Sequence, residues 1–191
     1  MVLTETRHAV VPTSLGAITL VAAADALTGV YFPGHWTRPP AQAFGTRVDV
    51  SRDPVLAVAA QQIQEYLAGE RRAFGVRTAT HGDVFQERVW ALLRDIPYGA
   101  TMTYGELARR LGGGALPHEV GQAVGRNPLS IVVPCHRVVG KDGKLTGYAG
   151  GLERKRTLLD LEGHLADASE SRVEHRGGNQ PALPLFAASG Q

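Results

Sequence analysis

The chain of 191 residues reads as an α+β protein, with strands in its first part and mostly helices after them. Three observations predict this. Apolar residues fall at every second position through Ile18, Leu20 and Ala22, and a β-prone run from Leu27 to Phe32 follows the polar break at Asp25, which together describe a hairpin or meander. Leu56, Ala59, Ile63 and Leu67 recur at helical spacing behind Asp53 as N-cap and Pro54 at the first helical position, and Gly69 can close that helix in a left-handed turn. Further on, helical signals succeed one another with short breaks between them.

The first of these later helices begins near Asp83, carries Phe85, Val89 and Leu93 on one side with Trp90 and Leu92 flanking, and stops before Pro97-Tyr98-Gly99. Thr103 and Glu106 form a capping pair at the head of a short helix bearing Leu107, Ala108 and Leu111. Gly112-Gly113-Gly114 breaks it, and a second short helix from Pro117 to Gly125 presents Val120, Ala123 and Val124. The pair has the form of a helix-turn-helix, although any small helical hairpin gives the same pattern. A last helix spans about Leu152 to Glu162, with Leu158, Leu159 and Leu161. Residues 33–52 carry prolines and glycines without periodicity and read as a long loop with no chemistry placed on it.

The chain length allows one sizeable domain or two small ones. The boundary falls near residues 75–82, which divides the chain into an amino-terminal unit over 1–78, a second unit over 79–163 and a flexible tail over 164–191. A composition of 43% hydrophobic and 20% charged residues is that of an ordinary globular protein, so disorder throughout and a fibrous class are excluded. No apolar run approaches the roughly 18 residues of a membrane span, and Met1 to His8 lacks the apolar stretch of a signal peptide, so a cytoplasmic location without membrane attachment is expected. The net charge of +2 is too small to indicate a nucleic-acid partner. Its distribution says more, because Arg137, Lys141, Lys144, Arg154, Lys155 and Arg156 cluster in a way that suits a face near phosphates.

The one cysteine, Cys135, cannot form an intramolecular disulfide, and no ligand cluster around it suggests a metal; no cofactor is expected. It is either an apolar filler or a reactive thiol. Ile131-Val132-Val133-Pro134 reads as a buried extended segment that delivers Cys135-His136-Arg137 at its end. A thiol with an ordinary pKa of about 8.5 needs a base or a positive environment to act as a nucleophile. His136 is the adjacent candidate, and Glu162 at the end of the last helix could orient its imidazole. Consecutive residues of an extended chain point to opposite sides, so contact between Cys135 and His136 requires a turn or a bridging water.

The segment Ile131-Val132-Val133-Pro134-Cys135-His136-Arg137-Val138-Val139-Gly140 resembles the active-site signature of the O6-alkylguanine-DNA alkyltransferases, also called methylated-DNA–protein-cysteine methyltransferases. Phe85-Gln86 with Val89-Trp90, Ile96-Pro97 with Gly99 and Thr103-Tyr104, Gly125-Arg126-Asn127-Pro128, and Gly147-Tyr148 with Gly150-Gly151-Leu152 follow the family in order and spacing. The likeness covers about residues 83–163; the first half of the chain is similar only in outline.

The resemblance implies a small amino-terminal domain, ribonuclease-H-like in outline, and a carboxy-terminal domain with a winged-helix-like helix-turn-helix. It implies that a monomer acts on alkylated double-stranded DNA without cofactor, moving an alkyl group from guanine O6 to Cys135 once per molecule. His136 would act through water as the base, held by Glu162, while Asn127 would brace the turn after the recognition helix. Tyr104 would donate to the everted guanine as it leaves. The substrate pocket would comprise Val138, whose carbonyl with that of Cys135 reads the guanine amino group, Ala149, whose amide faces O6, and Tyr148 and Val124 as walls.

The DNA-facing set would be His118, Glu119, Gly121, Gln122 and Arg126. Here the chain departs from the pattern. The family places at the position of His118 an arginine that enters the duplex, and at that of Glu119 a small residue. A histidine supplies fewer donors and less fixed charge, and a carboxylate is unfavourable beside phosphate, so weaker duplex binding or slower base extrusion is expected, with Arg109, Arg110 or Arg126 as partial substitutes. Two other readings stay open: a lesion-binding or sensing protein with impaired transfer, and a cysteine hydrolase, which the adjacency of Cys135 and His136 disfavours.

Overall fold

The computed structural model describes residues 5–163, so the expected tail over 164–191 lies outside the described residues. A four-stranded mixed sheet opens the fold, ordered β3-β2-β1-β4, with β1 at Thr6–Val11, β2 at Ile18–Ala23, β3 at Ala26–Tyr31 and β4 at Thr46–Arg47. The strands β1, β2 and β3 form an antiparallel meander, with Val11 opposite Ile18 and Thr19 opposite Tyr31, and β4 lies parallel to β1. Strand β1 went unread in the sequence because its first half, Thr6-Arg7-His8, is polar; only Ala9 and Val11 turn inward.

Helix α1, Pro54–Leu67, packs across this sheet through Leu56, Ala59, Ala60, Ile63 and Tyr66. Its expected cap is present: the Asp53 carboxylate accepts from the Val55 and Leu56 amides at 3.1 and 2.9 Å and also binds the Arg7 guanidinium on β1. One side chain thus satisfies two orphan donors of the helix and ties it to the sheet.

The remaining elements are α2 at Val84–Arg94, β5 at Met102–Thr103, α3 at Tyr104–Leu111, α4 at Pro117–Gly125, β6 at Val138–Val139 and α5 at Leu152–Leu161. The capping pairs Asp83–Gln86 and Thr103–Glu106 start α2 and α3. Between α3 and α4 the three glycines 112–114 all take left-handed φ, from 63° to 78°, which is why only glycine serves in so tight a reversal. Most buried apolar residues of sheet and helices form one continuous cluster, with Val21, Tyr31 and Phe44 in a second, small one. Segment 77–79 lies along β3, with Leu27 N–H donating to Arg77 O at 2.8 Å and Ala79 N–H to Leu27 O at 3.0 Å. The opposite end of β3 holds the segment before Cys135, through Val30 N–H to Pro128 O at 2.8 Å.

Three expectations are corrected. Residues 33–52 are not plain loop: they contain 3-10 turns at Ala41–Phe44 and Val50–Arg52 as well as β4, because Phe44 is buried against Tyr31 and Val21 under the sheet. Ile131–Pro134 is not an extended segment. Val132 N–H bonds Ser130 O at 2.9 Å, Val133 N–H bonds Leu129 O at 2.8 Å, and Ile131 sits at φ 72°, which is costly for a β-branched residue. The apolar, β-branched composition reported burial, and burial suits a compact turn as well as a strand.

The basic cluster does not form one surface either. Arg137 and Lys155 are buried, and Arg154 is engaged with the backbone carbonyls of Leu15 and Gly150, which leaves Lys141, Lys144 and Arg156 exposed. Among the described residues no helix is long and apolar enough to cross a membrane, and no cluster of metal-ligating side chains occurs.

Replacing Asp53 by alanine removes the cap and the Arg7 partner together. The expected loss is about 1–3 kcal/mol, read from the shift of the urea midpoint at unchanged slope.

Candidate active site

The turn at 129–134 leads into a 3-10 helix, Cys135–Arg137, followed at once by β6, which pairs in parallel with β5. The helical turn removes the difficulty of alternating side chains, since residues on such a turn are not on opposite sides as in a strand. Asn127 braces the approach: its Nδ2 donates to Val133 O at 2.9 Å and its Oδ1 accepts from Leu129 N–H at 3.0 Å.

His136 is fully buried, and its Nε2 lies 2.8 Å from Glu162 Oε1. The same carboxylate accepts from Arg137 Nε at 2.9 Å, from Gly99 N–H at 3.0 Å and from the Tyr66 hydroxyl. Burial alone would raise the Glu162 pKa, but the hydrogen bonds from His136 and Arg137 outweigh it and bring it down to about 2. An ionised carboxylate only accepts, so Nε2 of His136 must carry its proton and Nδ1 must hold the lone pair. That Nδ1 is buried and has no partner among the described residues. Burial lowers the His136 pKa against the opposing pull of Glu162, which leaves a neutral imidazole with one free basic nitrogen.

Cys135 is the free thiol at the floor of a small cavity of about 40 Å³. Burial pushes the thiol pKa up, while a hydrogen bond from Asn127 and the charge of Lys155 work in the other direction. Lys155, placed in a surface cluster by the sequence reading, is wholly buried, and its ammonium donates to the carbonyls of Val138, Thr146 and Gly147. It pins the loop 146–151 to β6 and sets a positive charge beneath the sulfur.

The cavity walls are Tyr104 from the start of α3, Gly121, Val124 and Gly125 from α4, Gly147, Tyr148 and Ala149 from the loop before α5, and Trp36 from the segment after β3. Burial raises the Tyr104 pKa, so its phenol stays protonated and able to donate. Gly150 permits this packing, because a Cβ there would fall 2.6 Å from the Phe32 ring and 2.8 Å from that of Tyr148. Cys135, Tyr104, Val124, Tyr148 and Ala149 therefore meet in one place, with His136, Glu162, Asn127 and Val138 behind the wall they form.

A groove of about 700 Å³ adjoins the cavity through Tyr104, Gly121 and Gly147, and is lined further by His118, Pro117, Lys141 and Thr146. The DNA-facing set divides here. His118 and Gly121 face this groove, whereas Glu119, Gln122 and Arg126 line a separate hollow with Asp83, Phe85 and Gln86 of the α2 start. The Glu119 carboxylate accepts from Leu116 N–H at 3.0 Å, so it satisfies the helix start as well as facing solvent.

Residues 84–164 match the family described as 6-O-methylguanine DNA methyltransferase, DNA binding domain. A methylated-DNA–protein-cysteine methyltransferase of Mycobacterium bovis is 41% identical over 170 residues, covering 85% of this chain and 95% of that one. The chain belongs to the methylated-DNA–protein-cysteine methyltransferase family. The inducible member from Bacillus subtilis is 41% identical over 160 residues, covering 80% of this chain and 88% of its own. Among solved structures, Mycobacterium tuberculosis OGT in complex with DNA superposes with a TM-score of 0.74 at 40% identity, covering 82% of this chain and 93% of that one. This agreement spans the amino-terminal sheet as well as the helical part, which the sequence motifs alone did not reach.

Sequence reasoning missed Tyr66, Trp36 and the structural use of Arg137 and Lys155. Tyr66 lies three positions after Ile63 on the apolar face of α1, a signal of burial that was available, and Arg137 directly precedes the apolar pair Val138-Val139. Nothing local to Trp36 pointed to the methyltransferase cavity.

The depressed Glu162 pKa gives a stability effect of definite sign. Ionised Glu162 stabilises the fold fully above the ordinary carboxyl value of 4.5, and this contribution is lost as pH falls through about 2. Glu162→Gln leaves buried Arg137 without its counter-charge and should cost about 3–5 kcal/mol at neutral pH, with a flatter acid limb in urea titrations between pH 5 and pH 3.

Proposed function

We propose that this family member repairs alkylated double-stranded DNA by moving the alkyl group of O6-alkylguanine to Cys135, in a single turnover and as a monomer. The observation that carries the reading is one thiol and one protonated phenol lining a cavity that adjoins a groove beside α4, with a neutral imidazole, one basic nitrogen free, directly behind the thiol. The family match and the likeness to OGT bound to DNA support the same substrate. In outline the amino-terminal sheet with α1 takes the ribonuclease-H-like role and residues 79–163 the winged-helix-like one.

The thiol proton passes through a bridging water to His136 Nδ1, whose other nitrogen is held by Glu162. The thiolate attacks the alkyl carbon; the S–C bond forms as the C–O6 bond breaks, and the electron pair leaves on the purine. The guanine takes a proton from Tyr104, and the proton first lost by the thiol passes from His136 through water to restore the Tyr104 phenol, so alkylguanine and thiol become guanine and thioether. The base must leave the stack to reach the sulfur, at a cost of a few kcal/mol. The carbonyls of Cys135 and Val138 and the amide of Ala149 read the purine, and Asn127 and Lys155 hold the segments that carry them. His118, Gly121 and Lys141 line the side on which the strand approaches, with Glu119, Gln122 and Arg126 further along the duplex.

Incubation with a duplex containing O6-methylguanine should add one methyl increment to the intact mass, located on Cys135 and absent from Cys135→Ser. An unmodified Cys135 after exhaustive incubation would overturn the proposal.

His118 lies in the groove where it can touch the strand but offers fewer donors than an arginine would bring. His118→Arg is expected to speed repair of a duplex about tenfold, equivalent to about 1.4 kcal/mol, and to leave the rate on free O6-alkylguanine base unchanged. Equal gains on both substrates would exclude a role for this position in gripping DNA.

A further inference from the structure

The wall of the thiol cavity has one member that comes from the amino-terminal unit, and it is the one large side chain there not rooted in the core. Trp36 follows β3 and is 62% exposed. An indole this exposed is rarely held in place, yet here its Nε1 donates to Gly125 O at 3.2 Å, at the end of α4, and the Thr37 hydroxyl donates to the same oxygen at 3.3 Å. The preceding residue, His35, is buried with Nε2 3.3 Å from the Ser130 hydroxyl and its ring edge-on to Tyr31. The segment is therefore fastened on both sides, to the last turn of α4 and to the turn that leads to Cys135.

The other walls cannot set the size of the cavity in the same way. Gly121, Gly125, Gly147 and Ala149 are already small, Val124 is buried on α4, Tyr104 is packed against the core, and Tyr148 is buried with its ring edge-on to Phe32. Gly125 lies directly against the indole, where even a Cβ would sit in ordinary van der Waals contact at 3.5 Å from the Trp36 ring. The space left beside the sulfur, about 40 Å³, is a few times the roughly 10–15 Å³ that one water requires. It suits a methyl group; an aryl-methyl group needs several times as much.

We propose that Trp36 determines which alkyl groups the site accepts, closing the alkyl end of the cavity so that methyl fits directly and benzyl enters only when the Trp36 segment is displaced. The inference rests on the alkyl-transfer reading for its biological meaning, but the cavity filter can be measured without it. Its chemistry is steric and requires no further group, because the exclusion comes from an apolar wall that a bulky substituent would overlap.

The test uses the whole protein with Trp36→Ala and Trp36→Phe. Disulfide formation at Cys135 with methyl and with benzyl methanethiosulfonate measures access to the thiol, and transfer from oligonucleotides carrying O6-methylguanine or O6-benzylguanine measures the reaction. Trp36→Ala is expected to raise the benzyl-to-methyl rate ratio about tenfold in both assays, with Trp36→Phe in between. A ratio unmoved in the thiosulfonate assay, or methyl and benzyl rates falling together, would overturn the inference. A ratio that moves with thiosulfonates while neither protein takes methyl from DNA would instead overturn the proposed function and leave the filter standing. Because the indole is largely exposed, its removal should leave the thermal midpoint within a few degrees of the parent.

Discussion

The buried carboxylate of Glu162 is the point on which the rest of the site depends. It gathers the His136 imidazole, the Arg137 guanidinium, the Tyr66 hydroxyl and the Gly99 amide, donors drawn from α1, the segment after α2 and the 3-10 turn at the cysteine. An unpaired carboxylate would be very costly in this setting, and four kinds of donor make it tolerable. The same arrangement decides the tautomer of His136 and so where the basic nitrogen is available. A structural ion pair and the orientation of the imidazole are here one interaction.

The cysteine is delivered by a strained turn. Ile131 in the left-handed region is held there by its own burial, by the Leu129–Val133 hydrogen bond and by the Asn127 amide clasping both ends. Lys155 completes the frame from the other side, with three carbonyls around its ammonium, and burial lowers its pKa to about 8. These supports lie behind the cavity and leave its mouth to α4, the 146–151 loop and the Trp36 segment. The thiol and imidazole are thus held by the core, while the groove beside α4 opens outward.

Much of this was readable locally. The capping residues Asp53, Asp83 and Thr103 announced their helices because a cap acts within three residues of itself, and the Gly112–Gly114 reversal did so because positive φ demands glycine. The turn at 131–134 was misread since β-branched apolar residues signal burial in a strand and in a packed turn alike. Arg137 and Lys155 were placed on the surface by their charge, because a charge shows no sign in sequence of the carboxylate or carbonyls that will receive it.

By itself the sequence determined the chemistry: one thiol beside one imidazole, in a pattern of short motifs whose spacing identified the family, and a departure at His118 and Glu119 visible as residue types alone. Only the tertiary structure decided how that chemistry is framed. It joined Tyr66 and Glu162, 96 positions apart, and seated Trp36 on Gly125, 89 positions away. Local preferences extend over one turn of helix or one pair of strands, whereas these contacts exist only once sheet, helices and loop close around a common core.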